Sequence, residues 1–349
     1  MPSDRHARQV AFAGIGAEGH SRITHAHIAI VGLGALGSLA AMFLARAGVG
    51  SLLLVDRDVV EWSNLSRQVL YDEADARSGE AKAVAAANQL AQIAAAVQVD
   101  ARATELTADN ALGMLADVDV IVDGTDNWEA RRILNDVSVK CGIPYAYAAA
   151  VASYGSTAFL RPGHTACLRC LFSDADAVAG DTCDAVGVFS PVIGVIASLQ
   201  VAEVLKYVSG RVDRLSDRLA HVDAWHSQSA QSALGGPHAD CPCCGLRHFT
   251  ALEQPRTALA VSLCGSRVVQ VRRAEGIEHF DLGRVAQRIR SAAGVVEVRA
   301  SDALLRFVVA PEDNAEEIVF TVFADGRALL QGLTQPERAT RLYDRYIGV

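Results

Sequence analysis

The chain has 349 residues, 51% of them hydrophobic and 21% charged, with a formal net charge of −8. That length suits more than one domain and that hydrophobic share a large core, while the acidic balance argues against general nucleic-acid binding without excluding a locally basic groove. No secretory signal or sufficiently long transmembrane run is evident, so a cytoplasmic chain with reduced thiols and no membrane partner is expected.

In chain order, an apolar strand over His27–Val31 meets Gly32-Leu33-Gly34-Ala35-Leu36-Gly37, which opens into a helix over Ser38–Ala47. Strand, tight turn and helix form the context in which G-x-G-x-x-G cradles phosphate on backbone N–H groups, with the helix N-terminus favouring negative charge. A second strand, Leu52–Val55, ends at Asp56, where an acidic side chain can accept hydrogen bonds from ribose hydroxyls. To this point a nicotinamide-binding oxidoreductase reads as well as any other nucleotide-binding enzyme.

The polar residues that follow fit a triphosphate better. Asp56-Arg57-Asp58, Ser63-Asn64-Leu65-Ser66-Arg67-Gln68 and Gly79-Glu80-Ala81-Lys82 precede an apolar strand over Val118–Val122 and then Asp123-Gly124-Thr125-Asp126-Asn127. Arg67 can grip phosphate as a fork and Lys82 as a point charge. Asp126 falls at the carboxyl end of a parallel strand, where a hard carboxylate suits Mg²⁺ shared with substrate phosphates. The competing reading makes Arg67 and Lys82 solvated surface charges and has Asp126 and Asn127 cap a helix.

Eight cysteines include Cys167-Leu-Arg-Cys170 and Cys241-Pro-Cys-Cys244, two metal-knuckle spacings separated by more than in a compact zinc finger. Matching the C-x₂-C spacing selects Cys167, Cys170, Cys241 and Cys244 as ligands and leaves Cys243 spare; four free thiols are the alternative. The segment Val192–Val208 is apolar almost all round and barely one membrane span long. Interrupted by Gly194, Gln200 and Glu203, it reads as a buried or interface helix. Short Val/Ile/Leu strands alternate with alanine-rich helices such as Ala81–Ala96, which indicates a doubly wound, Rossmann-like α/β fold with a mostly parallel sheet.

Composition shifts at Gly235-Gly236-Pro237, and the expected domains are residues 1–246 and 247–349. The second reads as a small α/β unit. It has a strand over Arg267–Val271, a helix over Leu282–Ser291, and strands over Val295–Val298 and Leu304–Val309. A hairpin of Glu317–Phe323 and Arg327–Gln331 turns at Ala324-Asp325-Gly326, and a last helix covers Pro336–Tyr346.

Taken together, His6-Ala7-Arg8-Gln9, Gly32–Gly37, Asp56-Arg57-Asp58, Ser63–Gln68, Gly79–Lys82, Thr125-Asp126-Asn127, Thr182-Cys183, Gly187–Gln200 and the paired C-x₂-C motifs make the chain resemble the ThiF/MoeB/HesA family, bacterial relatives of ubiquitin-activating enzymes. The resemblance runs from about Arg5 to about Gly245. One departure is Ala35, where many relatives carry a third consecutive glycine.

The resemblance implies ATP-dependent adenylation of the C-terminal glycine carboxylate of a β-grasp sulfur-carrier protein ending in Gly-Gly. In that family pattern Gly32, Gly34, Ala35 and Gly37 form the phosphate turn. Asp56 holds the ribose, Asn64 and Arg67 contact phosphates, Lys82 stabilises the pentacovalent state and Asp126 binds Mg²⁺, with Asp58, Ser63 and Asn127 in the same pocket. It also implies a homodimer, with Arg8 inserted into the neighbouring subunit's ATP site. Zn²⁺ on Cys167, Cys170, Cys241 and Cys244 would be structural, and Cys183 is a candidate for attacking or receiving the activated carboxyl group. The tail resembles the C-terminal extension of thiazole-pathway ThiF adenylyltransferases at Leu263-Cys264-Gly265, Phe323–Leu330 and Leu342–Gly348, and lacks a rhodanese loop, so a separate sulfur donor is expected. Within adenylation, a peptide tail or a modified tRNA is the alternative acceptor.

Overall fold

The computed structural model describes residues 5–172, 187–253, 260–262, 267–272, 280–310 and 317–347. The chain packs as two compact units, Met1–Ser78 with Lys82–Pro255, and Gly79–Ala81 with Arg256–Val349.

The first unit is organised by an eight-stranded sheet in the order β3-β2-β1-β4-β5-β6-β7-β8. Its strands are β1 (His27–Val31), β2 (Ser51–Val55), β3 (Gln98–Arg102), β4 (Val120–Asp123), β5 (Tyr145–Val151), β6 (Tyr154–Leu160), β7 (Arg218–Asp223) and β8 (Gln228–Ala233). The strands from β3 to β5 pair in parallel, and β5 to β8 pair antiparallel. The flanking helices are α1 (Ala35–Ala47), α2 (Lys82–Ile93), α3 (Ala108–Leu115), α4 (Trp128–Cys141) and α5 (Ser190–Val208).

The apolar runs of β1, β2 and β4 are buried throughout because helices cover both faces. Alternation along the strand sends Ile28 and Ile30 into one layer with Leu44 of α1 and Leu90 of α2. It sends Ala29 and Val31 into the other, with Leu115 of α3 and Leu134 of α4. The chain leaves β1 in one direction to β2 and β3, then crosses to β4 and β5 on its other side. That reversal opens a crevice at the carboxyl ends of β1 and β4, the usual ligand position in such sheets.

By length and composition α5 is apolar enough to cross a membrane. Here it packs on α1, β5 and β6, burying Val192, Ile193, Ile196, Ala197, Val201 and Val204. Val195 and Leu199 stay exposed, so the helix is buried along one side only.

The second unit holds a six-stranded antiparallel sheet, β11-β12-β13-β14-β10-β9. These strands are β9 (Ala260–Ser262), β10 (Val268–Val271), β11 (Val295–Ala300), β12 (Leu304–Val309), β13 (Ile318–Phe323) and β14 (Ala328–Gln331). Helices α6 (Leu282–Arg290) and α7 (Pro336–Tyr346) share one core with this sheet. Phe307 and Phe320 stack there with ring centroids 4.5 Å apart, and Tyr343 donates to the Gly326 carbonyl at 2.6 Å, anchoring α7 to the β13–β14 turn. The sequence pattern finds the hairpin and both helices but omits β9.

Candidate active site

Close backbone approach dictates the glycines of the turn after β1. Gly32 has φ +84°, and a Cβ there would lie 2.6 Å from the Gly124 carbonyl carbon. On Gly37 a Cβ would lie 1.8 Å from the Gly32 oxygen, and on Gly124 it would lie 2.2 Å from the same atom. The turns after β1 and β4 are therefore locked together, at separations only glycine permits. A Cβ on Gly34, in contrast, would meet nothing nearer than 4.0 Å, which leaves the mouth of the turn open. Gly34 is the N-cap of α1 and no side chain caps that helix. Its first N–H groups and its dipole thus suit a phosphate. Ala35 is the first helical residue and fits the position without strain.

Asp56 lies just beyond β2 and is buried. Its Oδ2 accepts from the Leu33 N–H at 2.6 Å and its Oδ1 from the Asp58 N–H at 2.7 Å, so the carboxylate braces the glycine turn. Burial raises its pKa, against the opposing pull of Lys82. Tyr71 donates to the Leu33 carbonyl at 2.8 Å and steadies the same turn from below.

Lys82, the first residue of α2, is only 7% exposed, which rules out a solvated surface charge. Its Nζ lies 3.3 Å from Asp58 Oδ2. Burial alone would lower its pKa, but the charges of Asp58, Asp56 and Asp126 outweigh that and raise it. Lys82 is therefore a permanent cation held among three carboxylates. Asp58 also meets Arg57 at 3.7 Å, and Arg57 reaches Glu105 at 2.9 Å.

Ser63, Asn64 and Arg67 form one local structure. Asn64 ends the short turn Trp62–Asn64, and its Oδ1 accepts from the Glu61 N–H at 3.0 Å. Arg67 Nη1 donates to the Ser63 carbonyl at 2.8 Å. Ser190 at the start of α5 donates to the Ser66 carbonyl at 3.4 Å, tying this segment to that helix.

Asp126 is exposed on the loop after β4. Asn127 is the N-cap of α4, its Oδ1 accepting from the Ala130 N–H at 2.8 Å. The capping expectation therefore describes Asn127, while Asp126 is left facing no hydrogen-bond donor among the described residues. Arg8 is exposed on the short helix Ala7–Ala11 and has no ion pair or hydrogen bond among the described residues. Cys183 lies outside the described residues.

The pairing within a second polar layer escaped sequence reasoning, which picked up Asp123, Thr125 and Gln200 but not Arg131 or Tyr145. Asp123 is fully buried, its Oδ1 accepting from the Thr125 N–H at 2.8 Å and hydroxyl at 2.7 Å. Its Oδ2 accepts from Tyr145 at 2.6 Å and from Arg131 Nε at 3.4 Å. Gln200 of α5 donates to the Asp123 carbonyl at 2.9 Å and the Ala146 carbonyl at 2.7 Å. Thr125 is a local partner on the loop after β4, but Arg131, Tyr145 and Gln200 come from α4, β5 and α5, and no local spacing relates them.

The cysteine pairs, far apart in sequence, converge. The sulfurs of Cys167, Cys170, Cys241 and Cys244 all lie within 4.8 Å of one another, an arrangement that can hold one metal ion. Cys167 lies 3.7 Å from Cys241, and Cys170 lies 3.4 Å from Cys244. Helix α4 braces both knuckles: Asn135 Oδ1 accepts from the Leu168 N–H at 2.8 Å and its Nδ2 donates to Cys243 at 3.2 Å. Asp136 accepts from the Ala251 N–H at 2.9 Å. Cys243 is completely buried beside the four and accepts from Asn135, which explains why the spare thiol is retained inside.

A doubly wound sheet with a glycine-locked phosphate turn, a buried lysine among carboxylates and a four-thiol knuckle defines a Rossmann-like nucleotide-binding protein with its own metal-type staple. The ThiF family profile matches residues 6–243, and the chain belongs to that family. It is 39% identical over 345 residues to the sulfur carrier protein ThiS adenylyltransferase of Bacillus subtilis, covering 99% of both chains. It is 36% identical over 248 residues to a sulfur carrier protein adenylyltransferase of Thermus thermophilus, covering 69% of this chain and 90% of that one. With the adenylyltransferase and sulfurtransferase MOCS3 of Sus scrofa it shares 38% identity over 244 residues, 70% of this chain, and spans 53% of that protein. The crystal structure of E. coli MccB with MccA-N7isoASN has the same fold, with a TM-score of 0.62 and 22% sequence identity over 70% of this chain and 75% of that one.

Proposed function

We propose that this chain is an ATP-dependent adenylyltransferase acting on the C-terminal glycine carboxylate of a β-grasp sulfur-carrier protein. The observation that carries the reading is the convergence of Asp56, Asp58, Lys82 and Asp126 at the glycine-locked crevice between β1 and β4. The likeness to a carrier-protein adenylyltransferase along both domains supports it, and an oxidoreductase would leave Lys82 and Asp126 without a task.

In the reaction a carboxylate oxygen of the carrier attacks the α-phosphorus of ATP, the bond to the β-phosphate oxygen breaks, and acyl-adenylate and pyrophosphate form. Phosphoryl chemistry of this kind asks the protein mainly for positioning and charge neutralisation. The open turn at Gly34 and the N-terminus of α1 suit the phosphates, and Asp56 suits the ribose. Lys82 would neutralise charge building on the α-phosphate, and Arg67 that on the departing pyrophosphate. Asp126, a solvated carboxylate with no hydrogen-bond donor among the described residues, fits Mg²⁺ held together with phosphate oxygens. When bound, that ion would supply charge neutralisation on the leaving group.

Zn²⁺ on the four converged thiols would be structural, since four ligands leave no open position. The remaining parts of the reading are a homodimer in which Arg8 completes the partner's site, a cytoplasmic location, a separate sulfur donor and an acyl-accepting Cys183. Residues 1–246 would form the adenylation domain and residues 247–349 a docking or stabilising module.

The test is ATP–[³²P]pyrophosphate exchange with purified protein and each Gly-Gly-ended carrier from the same genome. Exchange that depends on one carrier is expected and names the pathway, whether thiamine, molybdopterin or another sulfur route. Exchange with a peptide or tRNA in place of every carrier, or none at all, overturns the proposed acceptor.

A further inference from the structure

Asp126 is exposed, yet the chain around it is among the most constrained in the molecule. Arg131, one turn into α4, is 8% exposed. Its Nη2 donates to the Thr125 carbonyl at 2.8 Å and to the Ala148 carbonyl at 3.2 Å, and its Nε reaches Asp123 Oδ2 at 3.4 Å. The guanidinium lies 5.4 Å from the ring centroids of both Trp128 and Tyr147. Asp123 in turn grips the N–H and hydroxyl of Thr125, and Gly124 is wedged against Gly32 and Gly37. Every residue from Asp123 to Thr125 is thus held, and Asp126 is the first that is not.

Stability alone is a poor reason for such a network. Burying an Arg–Asp pair costs desolvation that a well-packed apolar pair would avoid, so a buried ion pair is better suited to fixing one geometry. The bonds of Arg131 tie the Thr125 carbonyl to β5 and to Asp123, and none of them goes to the Asp126 carboxylate, as expected of a group that aims a neighbour. Its charge is also felt at Asp126, one of the groups that raise the Arg131 pKa.

We propose that Arg131 is the positioning residue for Asp126, holding the 123–125 turn so that the Asp126 carboxylate meets the Mg²⁺ of bound Mg·ATP. This rests on the reading of Asp126 as the Mg²⁺ ligand. Residues that orient a metal ligand change metal affinity without touching the metal.

The test is a Mg²⁺ titration of ATP binding by calorimetry, in the wild type, Arg131→Lys and Asp126→Ala. Lysine keeps the charge beside Asp123 but cannot span the Thr125 and Ala148 carbonyls. Arg131→Lys is expected to raise the half-saturating Mg²⁺ concentration by about 10–100-fold, with Mg²⁺-free ATP binding unchanged. A folded Arg131→Lys with wild-type Mg²⁺ dependence, even at a lower melting temperature, would make the residue merely structural and overturn the proposal. Should that variant not fold, Thr125→Val and Tyr145→Phe each remove one bond to Asp123. A smaller shift in the same direction is expected from both, and none from either overturns it. If Asp126→Ala itself leaves the Mg²⁺ dependence unchanged, the ligand reading fails and takes the proposal with it. A shift in Asp126→Ala without one in Arg131→Lys defeats the positioning role alone.

Discussion

The cysteine knuckle and the nucleotide crevice are assembled in opposite ways. At the knuckle the functional atoms already face one another, four sulfurs within 4.8 Å, with Asn135 and Asp136 bracing the backbone behind them. At the crevice only the backbone and the inner carboxylates are fixed, while Asp126 and Arg8 stay exposed and unpaired among the described residues. A site that closes on its own ion can satisfy its ligands internally. One that must admit and release a nucleotide keeps its outer charges open and places its rigidity one layer deeper.

If that contrast is right, Asp126→Ala should separate activity from stability most sharply. Pyrophosphate exchange should fall by about 10²–10³-fold, as for loss of one transition-state electrostatic contact. Its unfolding free energy should stay within about 0.5 kcal/mol of the wild type, as for an ordinary surface change. Full exchange in this variant would remove Asp126 from the mechanism.

Cys170→Ser should do the reverse, releasing bound metal and lowering stability by about 3 kcal/mol, a share of what a structural metal supplies. Metal analysis paired with thermal melting reads both effects, and wild-type stability after chelation would show that the knuckle holds no stabilising ion.

Lys82 blurs the line, because a residue read as a point charge for phosphate is also buried against Asp58. Lys82→Met should abolish exchange and also cost about 1–3 kcal/mol, less than a fully buried pair would lose because Asp58 is partly solvated. Because the folded-state pKa of Lys82 is raised above its ordinary 10.5, its contribution is complete below that value and is lost as pH rises through the folded pKa. The stability gap between wild type and variant should therefore be flat through neutral pH and narrow in alkali as Lys82 loses its proton. A gap that stays constant or widens in alkali would contradict the pairing.

Asn127→Ala should have the smallest effect, about 1 kcal/mol for a lost helix cap. A rise in the KM for ATP beyond that loss would place Asn127 at the nucleotide as well.

The legible parts of the molecule were those where one short stretch carries the whole signal. Buried runs such as Ile28–Val31 broken by glycine gave the switch-point strands, and C-x₂-C spacing picked out the four cysteines whose sulfurs converge. Lys82 was legible as a charge but not as a buried one, because its burial depends on Asp58 across the crevice. Arg131 and Tyr145 were not legible at all, and Asp123 and Gln200 were legible only as members of a motif and a helix, not as partners. What gives each of them meaning is a partner in another element. Strand β8 was missed for a different reason: all six residues of Gln228–Ala233 are exposed, so no apolar alternation marks it.

The interlocked glycines also bear on how the molecule acquires its competence. Gly32 and Gly37 belong to the first β–turn–α segment, but the backbone they close against, Gly124, arrives only with β4. A nascent or partly folded chain holding β1, α1 and β2 therefore has the whole sequence fingerprint and an unfinished cradle. Contacts so remote along the chain carry a loop-closure cost and form late relative to local ones. Nucleotide affinity should consequently report completion of the central sheet, making ATP a ligand that distinguishes the finished enzyme from its folding intermediates.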